Sequence, residues 1–284
     1  MNDGDGHDHD RGLAFDVTTL LERRRALQLI AGAGLATLIG CGSSSKASSS
    51  SSSPTATSGG ATKSSASSSV SSAGASATCA TIPEETAGPY PGDGSNGPNV
   101  LTQSGIVRQD IRASFGSSST VAPGVPLTIN LNLEDSKSCQ ALARGAVYLW
   151  HCNRDGQYSL YSQGAANENY LRGVQEADGS GRLSFTSIFP GAYAGRWPHI
   201  HFEVYSSLSD ATSAGQKATT SQLALPKETC DQAYATAGYG QSIKNLAQTS
   251  LATDMVFSDG YSLQLPAVTG DATSGFIIEL TVAV

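Results

Sequence analysis

The segment Pro126-Leu-Thr-Ile-Asn-Leu-Asn-Leu133 alternates strictly between apolar and polar residues. Side chains along a strand point to opposite faces in turn, so Leu127, Ile129, Leu131 and Leu133 share one face and predict a half-buried strand. Gly145–His151, Arg182–Ile188, His199–Tyr205 and Phe276–Val284 give further strand-like runs, separated by clusters of Gly, Pro, Asp and Ser. Helical signals are few: Cys230–Thr236, and Ser242–Leu251, where Ile243, Leu246 and Leu251 share an apolar side. No alternation of strands with long helices appears, which excludes a parallel α/β sheet. The expectation is an all-β fold, an antiparallel β-sandwich with short helices and long loops.

The first eighty residues follow another pattern. Arg23-Arg24-Arg25 precedes an apolar run to Ile39 that is too short and too rich in Gly and Ala for a comfortable transmembrane helix. Arg23-Arg24 fits a twin-arginine export signal, with Ala26 where a bulky apolar residue is usual. Leu38-Ile-Gly-Cys41 looks like a bacterial lipobox, in which Cys41 is acylated and becomes the mature N-terminus. The alternative is a plain signal peptide with a chance cysteine. From Gly42 the chain is almost all Ser, Ala, Gly and Thr, too poor in apolar surface to offset its ordering entropy, and reads as a flexible tether. Three regions result: a signal peptide over 1–41, a tether over 42–78, and one domain over 79–284, long enough for a sizeable core. The expected location is outside the cytoplasm, lipid-anchored to the outer face of the membrane or to the cell surface.

The whole chain has 17 basic and 24 acidic residues, a formal net charge of −7. Beyond the export signal nothing clusters Lys and Arg as phosphate binding requires, so nucleic acid is not an expected partner. Five cysteines occur. Setting Cys41 aside leaves Cys79, Cys139, Cys152 and Cys230, an even number in an exported domain. Two disulfides are expected, with Cys79–Cys139 and Cys152–Cys230 preferred among three connectivities. One pair stays reduced in the alternative, because twin-arginine substrates fold before export.

Candidate chemistry gathers in two blocks. In Arg196-Trp-Pro-His199-Ile-His201-Phe, the two histidines are two apart, so an extended strand projects both imidazoles to one side with Ile200, Phe202 and Val204 on the other. Only His151 remains outside the signal peptide, so a site built from histidine alone is barely feasible. The second block, Trp150-His151-Cys152-Asn-Arg-Asp-Gly156-Gln-Tyr158, reads as a strand entering a glycine turn and then a tyrosine.

Together these blocks resemble the intradiol ring-cleavage dioxygenases, the catechol and protocatechuate dioxygenase family. The first ligand tyrosine of that family closes a W-x(7)-Y segment with Gly two before it, matched by Trp150, Gly156 and Tyr158. The second follows a P-G-x-Y turn, matched by Pro190, Gly191 and Tyr193. The histidines form R-x-x-H-I-H, matched by Arg196, His199, Ile200 and His201. The resemblance spans roughly residues 81–284. It implies a β-sandwich whose loops and strand ends hold one non-haem Fe(III) through Tyr158, Tyr193, His199 and His201. Tyr193 and His201 would be axial, and Tyr158, His199 and a hydroxide equatorial. Phenolates and imidazoles suit hard Fe(III) better than Zn(II) or Fe(II). A ferrous two-histidine, one-carboxylate site using Glu203 is the alternative, and it leaves both tyrosine motifs unexplained.

The resemblance further implies that a catechol binds as its dianion, displacing the hydroxide and Tyr193, which take up its protons. O2 then opens the ring between the two hydroxylated carbons to give a muconate-type diacid. Arg196 matches a family arginine beside the ring; otherwise it is a surface arginine. Gln222, in Thr220-Ser-Gln-Leu, resembles a family glutamine near that arginine, in a shorter match without the usual tyrosine. Thr86-Ala-Gly88-Pro89-Tyr90 resembles a segment lining the substrate mouth, and reads equally as a rigid turn. Trp150 is expected as a wall beside the site, and His151 as a structural histidine. The chain departs from the family in lacking a helical N-terminal domain and in its short Tyr193–His199 spacing, so neither branch's substrate carries over. A reading from another class is a non-catalytic β-sandwich binding module displayed on the tether; it gives no reason for four ligand residues in family order.

Overall fold

The structure, a computed structural model, describes residues 79–284. The export signal, Cys41 and the tether therefore lie outside the described residues. Two sheets carry the fold. In the first, β1 (Pro126–Asp135) lies between β9 (Gly275–Ala283) on one side and β5 (Arg182–Ile188) with the short β2 (Gln140–Ala141) on the other, and β8 (Ala267–Asp271) flanks β9. The second has the order β4 (Arg172–Glu176), β3 (Ala146–Trp150), β6 (His199–Tyr205), β7 (Lys217–Ala224). Three short helices follow: α1 (Leu208–Thr212), α2 (Lys227–Tyr234) and α3 (Gly240–Leu246).

The all-β sandwich expected from alternation is present. Leu127, Ile129, Leu131 and Leu133 of β1 and Phe276, Ile278, Leu280 and Val282 of β9 pack in one core with Val147, Leu149, Ile200, Phe202, Val204 and Leu223 from the second sheet. One pairing departs from the antiparallel expectation: β1 and β9 run parallel, from Leu127 beside Phe276 to Glu134 beside Ala283. These are the first long strand and the last, so no tight turn constrains their relative direction.

The second sheet is covered on its other face too. Val100, Leu101 and Ile106, from the segment before β1, pack with Ala146, Tyr148, Trp150, Tyr158, Val174 and Tyr205. Arg172 fastens this layer. Fully buried, it donates to Tyr90 O at 2.9 Å, Pro91 O at 2.8 Å, Ser159 O at 2.9 Å and the hydroxyls of Ser159 and Tyr148. The guanidinium thereby ties the Gly88–Tyr90 segment to the loop carrying Tyr158.

Cys79 and Cys139 form a disulfide, with Cα atoms 5.4 Å apart. Cys152 and Cys230 do not: both are buried free thiols, which corrects the expected second bridge. Each is turned to a backbone carbonyl, Cys152 Sγ to Gly191 O at 3.3 Å and Cys230 Sγ to Leu225 O at 3.8 Å. They also belong to different apolar clusters. Burial pushes the Cys152 thiol up to about 12, so it stays protonated and inert. Among the described residues no helix is long and apolar enough to cross a membrane.

Candidate metal centre

His199 and His201 open β6, and the pleat sends both rings to the face away from the core, where Ile200, Phe202 and Val204 lie. Their Nε2 atoms are 3.0 Å apart. Two loops bring the tyrosines to the same point. Gly156, at φ +78, turns the chain so that Tyr158 faces inward; a Cβ there would sit 3.0 Å from Tyr193 Cβ. At Gly191 a Cβ would collide with Arg154 O, so the two tyrosine-bearing loops pass each other at glycines. The Tyr193 hydroxyl is 3.2 Å and the Tyr158 hydroxyl 3.5 Å from His199 Nε2.

Four donor atoms thus surround one point. Metal–nitrogen bonds of about 2.0–2.1 Å put neighbouring donors about 3.0–3.4 Å apart, and the observed separations of 3.0, 3.2 and 3.5 Å fall within that range or just beyond it. The tautomer also fits: His199 Nδ1–H donates to Trp197 O at 2.5 Å, leaving the Nε2 lone pair aimed at the point. Among the described residues no three His, Cys, Asp or Glu side chains gather as a metal cluster, so a centre here requires the phenol oxygens. Burial and the neighbouring Tyr193 hold the Tyr158 phenol well above its usual pKa. Burial and Arg196 push His199 down to about 3, and burial and His199 likewise depress His201. The pocket therefore disfavours imidazolium, and two phenolates in it need a cation.

The tyrosines differ in access: Tyr158 is 1% exposed, whereas Tyr193 is half-buried beside exposed Ala194 and Gly195. Arg196 is buried, donating from Nη2 to Gln222 Oε1 at 2.7 Å and from Nε to Asp254 Oδ2 at 2.9 Å. Gln222 in turn donates to Thr86 O at 2.8 Å, joining the Gly88-Pro89-Tyr90 segment to the arginine. The Tyr90 and Tyr158 rings are 4.9 Å apart. Trp150 lies opposite His201 in the β3–β6 ladder and stacks on its ring at 4.9 Å and 5°; fully buried, it backs a histidine and lines no open mouth. His151 bonds Cys152 O at 2.8 Å and Ser187 Oγ at 2.7 Å, on the opposite side of β3 from Trp150. Glu203 follows the histidines on the same face, but its carboxylate accepts from Lys217 Nζ and from the Tyr205 hydroxyl at 2.6 Å. That engagement leaves it a structural carboxylate and weakens the two-histidine, one-carboxylate alternative. The sequence reading missed Asp254 and Arg172, because neither stands in a motif and each acts through partners far along the chain.

A family model described as Dioxygenase matches residues 96–200, a span that holds Tyr158, Tyr193 and His199. Among solved structures, an intradiol ring-cleavage dioxygenase from Tetranychus urticae aligns at 22% identity and a TM-score of 0.57, covering 72% of this chain and 94% of that one. The dioxygenase domain of a carbohydrate-binding fusion protein from Streptomyces sp. SirexAA-E aligns at 21% identity and a TM-score of 0.47, covering 72% and 98%. No curated protein matches. The resemblance to the intradiol ring-cleavage dioxygenases is thus shown, by a family model over the first part of the site and by a shared fold over most of the domain.

Proposed function

We propose that this protein is an Fe(III)-dependent intradiol dioxygenase that cleaves catechol-type aromatics between their two hydroxylated carbons with O2. The observation that carries the reading is the convergence of Tyr158, Tyr193, His199 and His201 on one point, with separations of 3.0, 3.2 and 3.5 Å. When bound, a ferric ion supplies a Lewis-acid centre that favours the catecholate over the catechol and accepts electron density from its ring. The protein's part is to hold and to move protons. Tyr158, sealed from water, keeps its place as a ligand. Tyr193, half-exposed, has room to turn out and take a proton from the incoming diol at its Oη. Arg196 presents fixed positive charge where the ring becomes electron-rich.

The same proposal places the enzyme outside the cytoplasm, anchored through an acylated Cys41, with residues 42–78 as its tether. This part rests on Arg23-Arg24, the apolar run and Leu38–Cys41. Plant-derived or lignin-derived phenolics suit that location as substrates.

The test is oxygen uptake by purified, iron-loaded protein given catechol. One O2 consumed per diacid formed, with cleavage between the hydroxylated carbons, is the expected result. Catechol binding without O2 uptake would overturn the enzymatic reading in favour of the binding module.

A further inference from the structure

Arg196 takes its carboxylate partner from a residue 58 positions downstream. Asp254 lies in the loop after α3, and its side chain is wholly buried. Oδ2 accepts from Arg196 Nε at 2.9 Å and from the Trp197 backbone N–H at 2.7 Å. Oδ1 accepts from the backbone N–H groups of Val256 at 2.9 Å and Phe257 at 3.3 Å. Every acceptor direction is therefore used by a donor. Burial raises the Asp254 carboxyl pKa, but the Arg196 guanidinium and the Trp197 N–H together outweigh it and hold the group below its usual value.

The geometry points to Asp254 as the positioning residue of the site, an inference that rests on the dioxygenase reading above. An arginine on its own swings about several bonds. Here one edge of the guanidinium is held by Asp254 at Nε and another by Gln222 at Nη2, and two such anchors fix the plane of a rigid fork. The Trp197 peptide that donates to Asp254 also accepts the Nδ1 proton of His199 through its carbonyl. Asp254 thus sets the direction of the charge beside the ring. It touches no reacting atom and acts through Arg196.

Asp254→Asn is the informative variant, because an amide keeps the volume but turns an NH2 group toward donors that need an acceptor. The full chain, loaded with ferric iron, is mixed anaerobically with catechol and then with O2, each step followed by absorbance. Iron content, the resting visible band and the rate of catechol binding are expected to stay within about threefold of wild type. The O2 step is expected to slow by about 10²-fold, the scale of a 1 Å misplacement. Arg196→Ala should slow it at least as much, and the double variant should be no slower than Arg196→Ala alone, since both act through one group. In metal-free protein the thermal midpoint should fall by about 10 °C, from the buried charge left without its partner.

An unchanged O2 step, a double variant as slow as the product of the singles, or loss of iron in Asp254→Asn would overturn the assignment. If Asp254→Asn does not fold, Asp254→Glu decides: it keeps the charge but moves it by one methylene. Asp254→Glu should slow the O2 step more than about tenfold, and a wild-type rate in that variant would refute the role. Wild-type protein that holds iron yet consumes no O2 sinks the dioxygenase reading itself, a result visible before any variant is made.

Discussion

In the sheet built around β1 and β9, buried positions alternate with half-buried or exposed ones; in the sheet built around β3 and β6, every residue of those two strands is buried. The first sheet meets water on its outer face, so Thr128, Asn130 and Asn132 of β1 and exposed Ile277 of β9 carry little structural demand. The second is covered on its outer face by Ala87, Tyr90, Val100, Leu101, Ile106 and Phe115 and by the Tyr158 loop. Arg172, His199, His201, Glu203 and Gln222, on that covered face, are each at most 2% exposed. A buried polar group costs free energy unless a partner satisfies it. The second sheet therefore bears its polar residues only where they serve a network or a ligand, and that makes it the place to look for chemistry.

Substitutions separate the two sheets by the size and kind of effect. The largest is expected at Tyr158. Tyr158→Phe should lose most of its iron and colour, and turnover should drop by about 10³-fold or more, because every step depends on the ion. Metal analysis and oxygen uptake check this, and retained iron with normal turnover would break the assignment of Tyr158 as a ligand. Tyr193→Phe should keep iron and part of the colour, while catecholate formation slows by about 10²–10⁴-fold through loss of a proton acceptor. Rapid anaerobic mixing with catechol reads that step directly.

Stability sharpens the same contrast. Arg172→Leu removes the donors that satisfy Tyr90 O, Pro91 O and Ser159 O, and should cost about 3 kcal/mol at one or more per stranded group. Asn130→Thr on the outer face of β1 should change stability by less than about 0.5 kcal/mol. Denaturant unfolding of both variants makes the comparison, and equal costs would remove the distinction between the sheets. A smaller, pH-dependent effect belongs to Glu85. Burial, with help from Asp259, raises its carboxyl from 4.5 to about 7. The folded state then holds that proton more tightly than the unfolded chain does. Its contribution is full below about pH 4.5 and is lost as pH rises through about 7. Glu85→Gln should lose this pH dependence, so its thermal midpoint relative to wild type should change as pH rises from about 4.5 to about 7.

The same physical difference explains what the sequence disclosed. Strand β5 is legible to the residue because its alternation reflects one wet and one dry face, and β1 and β9 are legible almost as well. Strand β6 is legible because aliphatic and aromatic residues alternate with its two histidines. β4, with the sequence Arg-Gly-Val-Gln-Glu, and β7, rich in Thr, Ser and Gln, carry no such signal. They are strands because neighbours pair with them and cover them. The helix expected from Ser242 to Leu251 ends at Leu246, and the one expected from Cys230 begins at Lys227. Four residues at the candidate centre stand in motifs whose spacing survives in the sequence. Asp254 and Arg172 are joined to it only through space, and Cys152 and Cys230 could be paired on paper because sequence shows no direction for a thiol.

The central claim is that two phenolates and two imidazoles at the head of β6 hold ferric iron, and the metal content and visible spectrum of the purified, folded protein test it most directly. About one iron per chain, with a broad tyrosinate-to-iron band that vanishes on reduction, is the result expected. A colourless protein of intact fold carrying stoichiometric zinc would contradict it.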